Sequence, residues 1–85
     1  MRVVNIRKEP YDVYIGRPSI WGNRFIIGPD GTREEVVQKF KDWVQTQPDL
    51  IEKAKMELKD KTLGCYCFPL ACHGNVWIEI VEGKV

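Results

Sequence analysis

Eighty-five residues are enough for one domain with a small core, and no linker or low-complexity stretch indicates a second domain. With 44% hydrophobic and 29% charged residues, the composition is that of a folded domain and not of a disordered chain. The net charge of +1 excludes a strong electrostatic attraction of polyanions to the molecule as a whole. No stretch approaches about 18 apolar residues and residues 1–8 lack an apolar signal segment, so we expect neither membrane insertion nor export and predict a cytoplasmic protein.

The first third of the chain predicts two strands and an aromatic loop. Residues 2–6 and 11–16 are rich in Val, Ile and Tyr, and the two strands could pair directly or through a neighbour. Residues 17–25 mix glycine, aromatic and arginine residues, which suits either a binding loop or a cap on the core. A brief strand is expected at residues 25–27, before a turn at residues 28–31.

The middle of the chain predicts two helices. Thr32 and Glu35 match the capping-box pattern S/T-x-x-E, so the first helix is expected to begin at Arg33. Apolar residues then recur at helical spacing as far as Val44. Residues 49–58 predict a second helix with a mixed-charge outer face.

The last third predicts a strand and a further helix. Residues 62–67 are expected to form a strand that Pro69 ends, and a helix is expected to begin near Cys72. Residues 76–81 also alternate as a strand would, so both interpretations stay open for them. The element order predicts an α/β fold, a small sandwich in which a few-stranded sheet is packed by about three helices.

All three cysteines and the only histidine lie within nine consecutive residues, which predicts a shared site. A helix N-terminus offers unpaired N–H groups and a partial positive charge, so Cys72 is the candidate catalytic nucleophile, with His73 as a candidate proton carrier. In a second interpretation Cys65, Cys67, Cys72 and His73 bind zinc, because the run C-x-C-x4-C-H supplies four ligands. In a third, Cys65 and Cys67 only fill the core.

The arginines lie early in the sequence and the lysines late. All five arginines fall within the first 33 residues, whereas seven of the eight lysines follow them. The planar guanidinium group binds phosphate or carboxylate through two parallel hydrogen bonds, so the early half is suited to an oxyanion. Ion pairs with acidic residues of the same chain are the alternative explanation.

The early arginines and the cysteine run would meet if strand ends brought residues 17–23 beside that run, as at the ligand crevice of many α/β sheets. The predicted ligand is then a phosphorylated small molecule or nucleic acid; a zinc-stabilised interaction module and an inhibitor of a host protein are the alternatives. The candidate ligand-binding residues are Arg7, Arg17 and Arg33 for a phosphate, Trp21 or Tyr66 for stacking on a base, Asn23 for a base edge or ribose hydroxyl, and Asn75.

Five segments together carry a resemblance. They are Val4-Asn5-x-Arg7, Tyr11-Asp12-Val13-Tyr14-Ile15-Gly16-Arg17, Trp21-Gly22-Asn23-x-Phe25, Thr32-Arg33-Glu34-Glu35 and Gly64-Cys65-x-Cys67-x-Pro69-x2-Cys72-His73-Gly74. On these segments the chain resembles a small domain-of-unknown-function family that is widespread in bacteriophages and bacteria. The resemblance supports the fold and the position of the site, but it implies no particular activity.

Two positions depart from that family pattern. The family usually has Asn-Pro-Phe where this chain has Asn23-Arg24-Phe25, and Cys-His-Gly-Asp where this chain has Asn75. If the acid is a base or a metal partner in relatives, Asn75 cannot replace it, because an amide does not titrate. A binding role is compatible with the change.

Overall fold

The structure is a computed structural model that describes residues 1–66 and 72–83. Along the chain the elements are β1 (Arg2–Asn5), β2 (Val13–Tyr14), α1 (Arg33–Val44), α2 (Pro48–Glu57), β3 (Thr62–Cys65) and α3 (His73–Val81). Three helices and one small sheet form the α/β fold that the sequence predicts. None of the helices within the described ranges is both long and apolar enough to cross a membrane.

The sheet has the order β1-β3-β2, and both strand pairs are parallel. The first two strands therefore pair through a neighbour, the second of the two predicted arrangements. Asn5 lies opposite Cys65, and Tyr14 lies opposite Gly64. Because the three strands run in the same direction, their carboxyl ends lie along one edge of the sheet, and the loops that follow them start there.

The helix starts follow local sequence signals. Thr32 Oγ1 accepts the Glu35 N–H, and the Glu35 carboxylate accepts the Thr32 N–H at 2.8 Å, so the predicted capping box is confirmed. Helix α2 begins at Pro48, one residue before the prediction, in a position where proline loses no helical hydrogen bond. Cys72 is the N-cap of α3, which continues to Val81 and so removes the strand alternative for residues 76–81.

The helices pack on one face of the sheet, where Val3, Leu63 and Cys65 are buried. An edge-to-face contact joins the rings of Phe40 and Trp77, whose centroids are 5.5 Å apart. Both side chains are fully buried, and each such aromatic ring removes a large apolar area from water. This aromatic contact between α1 and α3 forms the centre of the core.

The strand predicted at residues 25–27 is wrong. Asn23 Oδ1 accepts the Phe25 N–H at 2.8 Å, and Asp30 Oδ2 accepts the Ile26 N–H at 2.8 Å. Short polar side chains thus bind the donors that a sheet ladder would use, and the segment turns instead of pairing. Strand β3 also ends earlier than predicted, at Cys65, and Cys67 lies outside the described residues.

Candidate ligand-binding site

A cavity of about 440 Å³ lies at the carboxyl ends of β2 and β3, beside the N-terminal ends of α1 and α3. Its volume falls in the range of about 300–1,000 Å³ that is typical of small-molecule sites. Described residues from five segments line it: Tyr14, Gly16 and Arg17; Asn23, Phe25, Ile26 and Ile27; Arg33, Val36 and Val37; Cys65 and Tyr66; Cys72 and His73. The early loop and the described residues of the cysteine run therefore line one cavity, and its use as a ligand crevice stays a prediction.

Two arginines, far apart in sequence, line this cavity. Arg17 belongs to the loop after β2, and Arg33 is the first residue of α1. No carboxylate is found among the described lining residues, and Arg17 makes no ion pair with any described residue. Two arginines and no carboxylate among the described lining residues favour an anionic ligand over a cationic one.

Close packing positions Arg17. The Tyr14 hydroxyl donates a hydrogen bond to the Arg17 carbonyl at 3.0 Å, and burial, the main cause, raises the pKa of Tyr14, so its proton is retained. A Cβ atom at Gly16 would lie 2.3 Å from the Tyr14 hydroxyl, and one at Gly22 would lie 3.1 Å from Arg17 Cγ. Glycine at these two positions therefore lets the loop close around Arg17.

Asn23 lines the cavity but also holds its wall together. Its Nδ2 donates to the Val36 carbonyl at 3.1 Å, and its Oδ1 accepts the Phe25 N–H. These bonds join the loop to α1. An amide has two N–H donors and two acceptor lone pairs, so the predicted contact with a ligand is compatible with both internal bonds.

The thiols of Cys65 and Cys72 meet at the cavity. Their Sγ atoms are 3.2 Å apart and both residues are buried. Cys72 Sγ also accepts the Gly74 N–H at 3.2 Å, as the N-cap of α3. The candidate nucleophile thus lies at a helix N-terminus, where N–H donors and the helix dipole stabilise negative charge on sulfur.

His73 joins α3 to the loop after β2. Its Nε2 lies 2.7 Å from the Ile15 carbonyl oxygen, and because that oxygen can only accept, Nε2 carries a proton. Burial lowers the pKa of His73, and the Arg17 charge lowers it further, against the hydrogen bonds to the Ile15 and Trp21 carbonyls. The imidazole is therefore neutral near pH 7, and the bond to Ile15 occupies the nitrogen that carries its proton.

The zinc interpretation stays a prediction. Within residues 1–66 and 72–83, no group of three or more His, Cys, Asp or Glu side chains is arranged to hold a metal ion. Cys67, one of the four predicted ligands, lies outside those ranges. The remaining three include His73, whose Nε2 already bonds to Ile15.

Three predicted ligand-binding residues lie away from the cavity lining. Trp21 is 5% exposed, and its ring packs edge-to-face on Trp77 with centroids 5.2 Å apart. Trp21 therefore caps the core, which was the alternative to a role in ligand binding. Asn75 is exposed on the surface of α3. Arg7 is exposed, with its Cζ 5.2 Å from the centroid of the Tyr66 ring. Of the two predicted stacking residues, only Tyr66 lines the cavity.

Tyr14 and the apolar wall of the cavity were not among the site residues predicted from the sequence. Ile26 and Ile27 are about half exposed in a loop, and Val37 lies beside them in the lining. Two neighbouring isoleucines in a segment that belongs to no strand or helix are an exposed apolar patch, which often marks a binding surface. That signal was present in the sequence but was interpreted there as a strand.

Comparisons with known proteins identify relatives in two viruses. An uncharacterized 12.4 kDa protein from the nrdA-td intergenic region of Enterobacteria phage T4 is 42% identical over 85 residues, covering 95% of this chain and 77% of that protein. The uncharacterized protein R718 of Acanthamoeba polyphaga mimivirus is 37% identical over 89 residues, covering 84% of this chain and 67% of that protein. No solved structure matches the chain.

The family match spans almost the whole chain. The domain of unknown function DUF4326 matches residues 2–83, which include every element of the fold and all described residues that line the cavity. The phage relative agrees with the resemblance noted from the sequence. This chain therefore belongs to the DUF4326 family.

Proposed function

We propose that this protein binds a small phosphorylated molecule with a flat ring, of the nucleotide type, in the cavity at the carboxyl ends of β2 and β3. One observation carries the proposal: Arg17 and Arg33, from distant parts of the sequence, line a single cavity of about 440 Å³ that has no carboxylate among its described lining residues. Guanidinium groups bind phosphate oxygens through paired, charge-assisted hydrogen bonds.

Two helix N-termini support an anion at the same place. The first residues of α1 and α3, Arg33 and His73, both line the cavity. The N-terminal end of a helix carries a partial positive charge, so both ends add to the attraction of the arginines for a phosphate group, although Glu34 and Glu35 in the first turn of α1 reduce the contribution of that helix. In this proposal the phosphate group binds to Arg17 and Arg33, beside the two helix starts.

The rest of the lining suits a flat, mostly apolar ring. Phe25, Ile26, Ile27, Val36 and Val37 supply an apolar wall. Tyr66, directly after the carboxyl end of β3, supplies an aromatic ring, and aromatic rings stack readily on nucleobases. A site that combines an apolar wall with a few polar groups binds its ligand in one orientation. The ring would lie between these walls while the phosphate lies on the arginines.

Calorimetric titration tests the proposal with defined probes: thymidine 5′-monophosphate, thymidine and inorganic phosphate. We expect the monophosphate to bind at least about tenfold more tightly than thymidine, because charge-assisted hydrogen bonds to phosphate are lost with the nucleoside. Arg17→Gln should weaken monophosphate binding by a similar factor and leave thymidine binding unchanged.

A matched control removes the same charge elsewhere. Lys55 is exposed on α2 and does not line the cavity, so Lys55→Gln should bind as the wild type does. Equal loss in Arg17→Gln and Lys55→Gln would mean that only net charge matters, and would contradict a built phosphate site. Equal affinity for thymidine and its monophosphate in the wild type would contradict it as well.

A further inference from the structure

The two faces of the sheet are covered differently. Parallel sheets usually carry helices on both faces, but here the described helices pack on the face of Val3, Leu63 and Cys65. The strand register places Val4, Gly64 and Tyr14 on the opposite face. Loop side chains cover that face.

Gly64 lets the loops approach the sheet directly. A Cβ atom at this position would lie 2.6 Å from Tyr11 Cγ and 2.7 Å from Ile6 Cγ2, so the ring of Tyr11 rests on the bare backbone of the central strand. Tyr11 is nevertheless 42% exposed. The ring is thus fixed from below by the strand while part of it stays open to solvent.

Three tyrosines and one arginine form a continuous surface on this side, which we name the tyrosine face: Tyr11, Tyr14, Tyr66 and Arg7. The ring centroids of Tyr11 and Tyr14 are 6.5 Å apart, and those of Tyr14 and Tyr66 are 6.2 Å apart. The Arg7 guanidinium lies 5.2 Å from the Tyr66 centroid, and Tyr66 is 55% exposed. Two exposed rings joined through the half-buried Tyr14 make a contiguous aromatic patch, and such patches often mark interaction surfaces.

Charge on the surrounding surface favours a polyanion. Arg7 is exposed beside the Tyr66 ring, and Lys8, the next residue in the sequence, is also exposed. Of the acids that follow in the sequence, Glu9 pairs with Arg2, whereas Asp12, whose carboxylate accepts the Thr62 N–H at 2.8 Å, keeps its negative charge. Rings that offer stacking surfaces, flanked by cations, are the arrangement by which proteins bind single-stranded nucleic acid without reading its sequence.

We infer that the tyrosine face binds single-stranded nucleic acid, with the base of the cavity-bound nucleotide on Tyr66, the next base on Tyr11 and the backbone beside Arg7. The inference rests on the proposed function, because Tyr14 and Tyr66 belong both to this face and to the cavity lining. A 5′-terminal phosphorylated nucleotide occupies the cavity, and the nucleotides that follow it cross the tyrosine face. The ligand is therefore the end of a strand and not only a free nucleotide.

Fluorescence anisotropy with a 5′-phosphorylated hexathymidylate, labelled at its 3′ end, tests the inference beside thymidine 5′-monophosphate. The wild type should bind the hexamer at least about tenfold more tightly than the monophosphate, since each stacked base adds roughly this factor. Tyr11→Leu keeps an apolar side chain over Gly64 but removes the ring. It should lose about tenfold in hexamer affinity and nothing in monophosphate affinity.

Two further variants complete the test. Tyr11→Phe retains the ring and should bind both probes as the wild type does. Arg7→Gln changes an exposed side chain that does not line the cavity, so it should weaken only the hexamer and reduce the salt dependence of its binding by about one counterion. This variant remains informative even if Tyr11→Leu does not fold.

The outcomes separate the two proposals. Normal monophosphate binding without tighter hexamer binding would overturn this inference, leave the proposed function intact and point to a protein partner for the tyrosine face. If the wild-type protein binds neither the hexamer nor the monophosphate, both this inference and the proposed function are overturned. Equal affinity for the hexamer and for a hairpin with a six-base-pair stem would contradict stacking, because paired bases cannot stack on the rings.

Discussion

Both faces of the sheet carry aromatic rings, but those on the helix side are buried in the core and two of those on the other side are exposed. On the helix side, Phe40 and Trp77 are fully buried and pack edge-to-face. On the tyrosine face, Tyr11 and Tyr66 contact their neighbours through one part of the ring and solvent through another. The comparison shows that the content of aromatic residues does not identify a site. What distinguishes the tyrosine face is exposure together with neighbouring cations.

The largest expected effect is a loss of stability when a buried ring on the helix side is removed. Trp77→Ala removes a fully buried indole whose N–H donates to the Trp21 carbonyl at 2.9 Å, so it should lower the free energy of unfolding by about 3–5 kcal/mol. Tyr66→Ala should lower it by less than about 1 kcal/mol, because the ring is more than half exposed. Urea unfolding of both variants measures the difference. Similar losses for the two would contradict the division between a stabilising face and a binding face.

The helix side was also the more predictable one. The start of α1 follows from Thr32 and Glu35, and the start of α3 follows from Cys72, because caps and helical periodicity act over a few residues. The central place of β3 could not be predicted, since strand order depends on contacts between distant segments. The strand at residues 25–27 was predicted wrongly because the bonds made by the side chain of Asn23 were not recognised.

The site was predictable only in part. Residue chemistry indicated Arg17, Arg33 and the cysteine run. Of these, Arg17, Arg33, Cys65 and Cys72 line one cavity, and Cys67 lies outside the described residues. Residue chemistry could not decide between Trp21 and Tyr66 as the exposed ring. That choice depends on which side of the sheet each ring faces and what covers it, and only the assembled structure fixes it.

The second effect tests the contact between the tyrosine face and the sheet. Gly64→Ala places a methyl group against the Tyr11 ring and Ile6, and such overpacking should cost about 1–3 kcal/mol. The same change in a Tyr11→Ala background should cost less, because the ring that clashes is gone. A double-mutant cycle measured by urea unfolding reports this coupling. Additive effects would mean that the Tyr11 ring does not rest on Gly64.

A smaller effect concerns the cap that precedes Arg33. Thr32→Ala removes the hydroxyl that accepts the Glu35 N–H and should lower the free energy of unfolding by about 1 kcal/mol. Thr32→Ser keeps a capping oxygen and should retain most of that stability. Thermal unfolding of the two variants provides the measurement, and equal loss in both would assign the effect to packing of the threonine methyl group.

The smallest effect is a pH dependence that arises from His73. Burial holds its pKa in the folded protein below the ordinary value of 6.5, so below pH 6.5 the unfolded chain binds a proton that the folded protein excludes. The free energy of unfolding should therefore fall as the pH drops from about 7 toward 5. In His73→Gln this slope should disappear, whatever the absolute stability of the variant. Urea unfolding across this pH range tests it, and an unchanged slope would assign the dependence to other groups.

The measurement that tests the central claim most directly is an amide chemical-shift titration of the isotope-labelled protein with thymidine 5′-monophosphate. We predict that the amides of Gly16, Arg17, Arg33 and Cys65, which line the cavity, shift most, and that thymidine without phosphate leaves the amide of Arg33 unchanged. Shifts concentrated on the exposed face of α2, around Lys55, or the same shifts with thymidine alone, would contradict a phosphate site built on Arg17 and Arg33.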